Sequence, residues 1–354
     1  MTYSTITAVS TKQLLNDADY FLHAFNKSTD TFTFVKTNQS TLQQLAFVDG
    51  REKITVDDTC YQLKTDDIES QFLPNDSKAS LRFIFHIGFC GSTLLANALG
   101  QQADKVLCYK EPQVLIELAQ LKASQHLCYR DKAMWQKHLR FCLSQLNKTF
   151  SLAQTAVIKP SNWVNSLLPD IVKSGRDIRA VFVSMPIEDY LIAVFRGGQQ
   201  RFQFIYQLRQ HLVQVLPEYA ALCQEIDISE DDILLQVGKT TAIVYLMQQQ
   251  LFIQAKAQLS SEHHKAINYH QISTVPETSI KQVSQALQLG LETQEIQCAI
   301  AASFTKHAKD SSYDYNVNNQ AEINQQVVDY YRFIFEQASL WYHSISNTSH
   351  IKIA

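Results

Sequence analysis

The chain is poor in glycine, with 9 among 354 residues, while glutamine is abundant. Few sites can break a helix, so its helices should be long, well formed and weakly charged. The cysteines Cys60, Cys90, Cys108, Cys128, Cys142, Cys223 and Cys298 are scattered, odd in number and never spaced C-x-x-C. That pattern excludes a disulfide framework and a cysteine-based zinc site. No signal-peptide pattern opens the sequence, so reduced thiols and a cytoplasmic location are expected. Excess positive charge is lacking: 31 Lys and Arg face 34 Asp and Glu, a formal charge of −3. A nucleic-acid partner held by a global basic field is therefore not expected. No apolar run approaches the roughly 20 residues that span a bilayer, so no membrane partner is expected. No internal repeat and no low-complexity linker appears beyond the glutamine bias.

What is present is enough to fill a core, with 45% hydrophobic and 10% aromatic residues. The length exceeds one average domain and suits one large α/β domain with additions. One stretch, L-R-F-I-F-H-I-G-F-C-G-S-T-L-L-A-N-A-L-G over residues 81–100, organises the rest. Residues 83–87 are apolar, aromatic and β-branched, and read as a buried strand. Gly88-Phe89-Cys90-Gly91 is a tight segment. Ser92 and Thr93 are read as caps of a helix carrying Leu94, Leu95, Ala98 and Leu99. A strand, a glycine turn and a helix N-terminus together aim free N–H groups and the positive helix end at an anion. The same position predicts a lowered pKa for the Cys90 thiol.

Along the chain, residues 11–27 have helical apolar spacing and residues 31–35 read as a strand. Residues 42–48 read as a short helix before the Asp49-Gly50 turn. Residues 1–78 form an N-terminal accessory module with no catalytic constellation, and residues 79–354 form the main α/β domain. Further strands are expected at 105–109, 155–158, 178–184 and 266–272. Helices are expected at 114–121, 135–146, 163–173, 188–195, 239–259, 279–289 and 322–341. Alternation of strands and helices argues for a mainly parallel sheet covered on both faces. Ligands in such sheets sit beyond the carboxyl ends of the strands. The strands here end at the Gly91-Ser92-Thr93 turn, near Glu111, at Lys159 and at Ser184.

These segments, in this order, resemble the sulfotransferase superfamily over residues 81–290. Phe89-Cys90-Gly91-Ser92-Thr93-Leu94-Leu95 is similar to the family's K/R-S-G-T-T-x-L loop for the 5′ phosphosulfate. Ala156-Val157-Ile158-Lys159-Pro160-Ser161 is similar to its strand-plus-lysine segment. Residues 181–195 resemble the strand–R-x-P–helix segment for the 3′ phosphate, and residues 266–272 the later R-Y-E-D-L strand. Glu111 falls where some members place a glutamate base. The resemblance implies a P-loop NTPase-like fold and a 3′-phosphoadenosine 5′-phosphosulfate donor. It implies sulfuryl transfer to a hydroxyl or amine of a small molecule, with no metal.

Three positions depart from the family pattern. Phe89 replaces the loop's basic residue, Ser184 replaces the arginine of R-x-P, and the apolar pair Ile192-Ala193 replaces a serine. The cations available instead are Arg196 and Arg201 along the next helix and Lys306 and Lys309 in the tail. The resemblance then implies Cys90, Gly91, Ser92, Thr93, Leu94, Ser184, Arg196 and Lys309 as donor contacts. Lys159 would neutralise the leaving group, and Glu111 would accept the acceptor's proton.

Blander readings stand beside these. Glu111 before Pro112 can cap a helix, and Lys159 or Lys110 can be solvated strand-end charges. His86, in an apolar strand, reads as a buried hydrogen-bonded core residue, and residues 202–206 as core aromatics. No histidine has metal-ligand spacing with a cysteine. A non-catalytic binding module on this fold is the first alternative function. A P-loop kinase is the second, although G-x-x-x-x-G-K-[S/T] and a Walker-B aspartate are missing. The acceptor and the oligomeric state are not encoded in any motif.

Overall fold

A computed structural model describes residues 9–69, 80–124, 132–229, 231–304, 306–307, 310–314 and 317–348. Its centre is a five-stranded, wholly parallel sheet. Three strands precede it in an N-terminal sheet: β1 (Tyr20–Asn26), β2 (Thr31–Lys36) and β3 (Cys60–Lys64). The central strands are β4 (Leu81–His86), β5 (Val106–Lys110), β6 (Thr155–Lys159), β7 (Ile178–Ser184) and β8 (His264–Asn268). Their spatial order is β5-β6-β4-β7-β8. The chain leaves β4 toward one edge and later returns past it to the other, so the sheet's switch point lies at the end of β4.

The central strands are nearly continuous apolar runs because both faces are covered. All five residues of β5 are buried. Phe83 stacks on Phe85 at 5.0 Å, and Phe85 on its register partner Phe182 at 5.8 Å. The helices that bear on the site are numbered in chain order: α1 (Thr11–Asn16), α2 (Ser92–Gly100), α3 (Gln113–Ala123), α4 (Ile187–Arg196), α5 (Gly198–Val213), α6 (Ile233–Gln258), α7 (Tyr269–Thr274) and α8 (Val317–Thr348). The break at Gly197-Gly198 separates α4 from α5, as the sequence predicts.

The N-terminal sheet is antiparallel, ordered β1-β2-β3. Phe21 stacks on Tyr109 of β5 at 5.5 Å, and Phe32 meets Phe141 at 4.8 Å. One continuous core cluster thus runs from this sheet into the central one.

Three expectations are corrected. The helix expected over 11–27 ends at Asn16, and residues 20–26 are β1. Apolar residues at 18, 21, 22 and 25 fit a helical period, but pairing with β2 holds residues 20–26 extended, with Phe21 packed on Tyr109 and Phe25 on His138. Lys148 ends α1 by donating to the carbonyls of Leu14, Asp17 and Tyr20, at 3.0, 3.0 and 2.6 Å. The strand expected over 266–272 is β8 only to Asn268, whose side chain caps α7 in a box with Gln271. The helix expected over 163–173 is a 3-10 turn, Asn162–Leu167, followed by one short α-helical piece, Leu168–Val172.

Candidate active site

Beyond the carboxyl ends of β4, β5 and β6 three chemically capable side chains meet. Register pairs Lys110 with Lys159 across β5 and β6, so the next residue, Glu111, lies over Lys159. Lys159 Nζ is 2.7 Å from Glu111 Oε1. The lysine is 0% exposed and the glutamate side chain 14%, so the pair is buried with only the glutamate reaching solvent. Lys159 Nζ also lies 3.1 Å from His86 Nε2. His86 Nδ1 accepts the Gly88 N–H at 3.1 Å, which puts the ring proton on Nε2, 3.0 Å from the carbonyl of Pro160. A chain of contacts therefore runs Glu111–Lys159–His86–Gly88, from carboxylate to turn.

Glu111 adopts φ +57°, in the left-handed region disfavoured for a side-chain-bearing residue. Its N–H donates to the Lys159 carbonyl at 2.6 Å. Pro112 then opens α3. The backbone is turned so that the Glu111 side chain points back over β6 instead of continuing along β5.

The turn after β4 contains three left-handed residues, Gly88, Phe89 and Gly91, at φ +91°, +57° and +74°. Gly91 is the N-cap of α2 and makes no side-chain cap bond, so the caps are not Ser92 and Thr93, as expected from sequence. Those two residues are the first helical positions and are buried at 4% and 6% exposure. Leu94 follows them, half-buried. A Cβ at Gly91 would come 3.0 Å from the Tyr269 ring, on a backbone of φ +74° that favours glycine.

Cys90 corrects another expectation. Its thiol is fully buried, donates to the Val183 carbonyl at 3.4 Å, and is pushed up to about 11 by burial. The charge of Lys159 is among the influences that pull it the other way. Lys110 is not a solvated charge either. It is 3% exposed, and its Nζ donates to the Gln43 carbonyl and to Asn97 Oδ1, both at 3.1 Å. Burial lowers its pKa. His86 is the buried, hydrogen-bonded residue the sequence predicts, and it also touches Lys159.

Phe89 packs among Tyr190 and Phe204, with ring centroids at 6.0 and 6.2 Å. The Arg201 guanidinium sits over the Phe89 ring, 4.5 Å from its centroid. The same guanidinium donates to the Ala193 carbonyl, and burial lowers its pKa, with Arg196 adding to the effect. Arg196 reaches Asn324 Oδ1 of α8 at 2.6 Å. Ser184 ends β7, half-buried and in register with Asn268. Lys309 lies outside the described residues.

One participant carried no signal in the sequence. Arg51, from the segment between β2 and β3, places NH2 3.3 Å from Glu111 Oε2. Its neighbour Phe47 lies under the group: the Arg51 guanidinium is 3.9 Å, and Lys159 Nζ 5.8 Å, from the ring centroid. Among the described residues, no group of three His, Cys, Asp or Glu is disposed to hold a metal.

No protein-family model and no curated protein sequence matches the chain. Solved structures do. The sulfotransferase domain from the curacin biosynthetic pathway aligns at 12% identity and TM-score 0.38, covering 73% of this chain and 92% of that one. A sulfotransferase from Alicyclobacillus acidocaldarius aligns at 12% identity and TM-score 0.36, covering 75% and 96%. The sulfotransferase domain of the Synechococcus PCC 7002 olefin synthase aligns at 11% identity and TM-score 0.38, covering 75% and 95%. Likenesses of this degree leave the chemistry to the distances above.

Proposed function

We propose that this protein is a sulfotransferase-like enzyme, moving a sulfuryl group from 3′-phosphoadenosine 5′-phosphosulfate to a hydroxyl or amine of a small molecule. The observation that carries the reading is the Lys159–Glu111 pair at 2.7 Å, linked through His86 to the Gly88–Gly91 turn. A buried cation, a carboxylate and an anion-binding turn are the three parts that such a transfer asks of a protein.

The residues suit the 5′ end of such a donor. A left-handed turn leading into a helix N-terminus offers backbone N–H groups, and Gly91, Ser92 and Thr93 would line it. Arg201 is the cation beside that turn, at the 5′ end, and Ser184 at the end of β7 is available toward the 3′ phosphate. The bound donor supplies a sulfur that exchanges its bond to the phosphate oxygen for one to the acceptor. Glu111 takes the proton released by the acceptor. Lys159 neutralises the charge left on the phosphate oxygen. His86, accepting the Gly88 N–H on Nδ1 and donating from Nε2 to the Pro160 carbonyl, ties the turn to the end of β6 beside Lys159. The described cysteines are all free, which suits a reducing compartment such as the cytoplasm.

Calorimetric titration with 3′-phosphoadenosine 5′-phosphate, and separately with ATP and magnesium, tests the reading. Wild type should bind the bisphosphate, and Lys159→Ala should bind it more weakly. Preference for ATP would indicate a kinase instead, and no heat with either would indicate a binding module that has lost the donor.

A further inference from the structure

We propose that Arg51 is a positioning residue for Glu111, so that residues 43–51 are a wall of the active site and not an appendage to it. The role assigned to Arg51 rests on reading Glu111 as the base; its geometry does not.

The segment is laid across Glu111. The Val48 N–H donates to the Lys110 carbonyl at 2.7 Å, and the Val48 carbonyl accepts the Gln113 N–H at 3.3 Å. These two bonds bracket Glu111 on either side. Lys110 adds a third tie through the Gln43 carbonyl. Within that frame the two oxygens of the carboxylate have separate cations. Oε1 meets Lys159 at 2.7 Å, and Oε2 meets Arg51 at 3.3 Å.

Arg51 is itself held. Its Nε donates to Asp49 Oδ2 at 2.6 Å, and its guanidinium lies on the Phe47 ring. The left-handed backbone of Glu111 sets the direction of its Cβ. What remains free is rotation about the side-chain bonds, and a cation on each oxygen removes it. Lys159 alone would leave the carboxylate able to pivot about Oε1.

Stability does not explain the contact. The Arg51 side chain is 58% exposed and Glu111 14%, and an ion pair whose cation stands in solvent contributes little to folding. An exposed arginine fixed by Asp49 and Phe47 and aimed at a strained, half-enclosed glutamate suits orientation of that glutamate.

Arg51→Gln, Arg51→Lys and the control Lys53→Gln test this. Lys53 pairs with Asp58 at 2.7 Å in the same segment, both side chains being exposed. Crystal structures of wild type and Arg51→Gln are compared, and sulfate release from 3′-phosphoadenosine 5′-phosphosulfate is followed with water as acceptor. In that reaction water oxygen bonds to sulfur, the sulfur–oxygen bond to the 5′ phosphate breaks, and the water proton goes to Glu111. Arg51→Gln should melt as wild type does and bind the bisphosphate product within about twofold of it. Its sulfate release should fall about tenfold, because a carboxylate turned by an ångström loses its line on the acceptor. Arg51→Lys should recover most of the rate, and Lys53→Gln should keep all of it. In the Arg51→Gln crystal the Glu111 carboxylate should turn about its Oε1 contact with Lys159, so that Oε2 leaves its wild-type position. If the carboxylate keeps its wild-type position, the proposal is overturned. If wild type neither binds the bisphosphate nor releases sulfate, the reading of the function fails, and the crystal comparison alone decides the role of Arg51.

Discussion

The Arg201 guanidinium lies 4.5 Å from the centroid of the Phe89 ring, at the turn after β4. A positive charge from α5 is thus laid on an aromatic ring of the turn. Arginine keeps its charge in a protein interior, so burial here does not silence it.

Arg201→Ala should therefore weaken binding of 3′-phosphoadenosine 5′-phosphate about 10- to 100-fold, the loss expected for charge-assisted hydrogen bonds worth about 1.5–3 kcal/mol. Arg196→Ala should do much less, since that guanidinium is directed to Asn324. Calorimetry on the two variants separates the roles. Equal losses would show that Arg201 has no special place.

Gly197→Ala offers an independent route to the same result. Position 197 has an ordinary backbone, φ −87°, but an added Cβ would overlap the Arg201 side chain. Alanine favours the helix, so the urea midpoint should stay near that of wild type. Affinity for the bisphosphate should nevertheless fall as it does in Arg201→Ala. Unchanged affinity would mean that Arg201 does not serve the ligand from its present position.

Lys159→Ala removes one member of a pair whose lysine is fully buried. Breaking such a pair costs about 3–5 kcal/mol. Glu111 keeps Arg51 and some solvent, so the lower end, about 3 kcal/mol, is expected in urea unfolding. Lys159→Met, which refills the space, should lose less. A loss in Lys159→Ala under about 1 kcal/mol would contradict the burial and pairing described here.

A pH effect should arise away from the site. Burial holds His211 down to about 4, with Nε2 3.0 Å from the Trp163 carbonyl and 2.8 Å from Ser166 Oγ. Between pH 6.5 and 4 the unfolded chain takes up this proton and the folded chain does not. The stability it contributes is thus complete above 6.5 and lost as pH falls toward 4, by about 3 kcal/mol. Urea unfolding at pH 7, 5 and 4 should show a shallower decline for His211→Asn than for wild type. Parallel declines would show that His211 is not the group responsible.

Much of the central sheet was legible because its strands are short apolar runs closed by Lys-Glu-Pro, Lys-Pro and Met-Pro. These mark both the strand ends and the groups held there, Glu111 and Lys159. Two kinds of feature escaped. Periodicity misled at residues 18–25, where apolar spacing suits a helix but partners in β2 decide for a strand. The Arg51–Glu111 contact joins residues 60 apart, and nothing in the local pattern of either predicts it. Lys110 looked like a surface charge because the carbonyl and amide that receive it, from Gln43 and Asn97, come from other segments. Arg201 was one of several cations in the sequence, and only the fold brings it onto Phe89.

The most direct measurement is sulfate release from labelled 3′-phosphoadenosine 5′-phosphosulfate by wild type and Glu111→Gln, with bisphosphate affinity measured alongside. Glutamine keeps the shape and a hydrogen bond to Lys159 but cannot take the acceptor's proton, a step worth about 100-fold or more. A base at Glu111 requires bisphosphate affinity within about threefold of wild type and release at least about 100-fold slower. Release at the wild-type rate in Glu111→Gln, or no donor turnover by wild type at all, would contradict it.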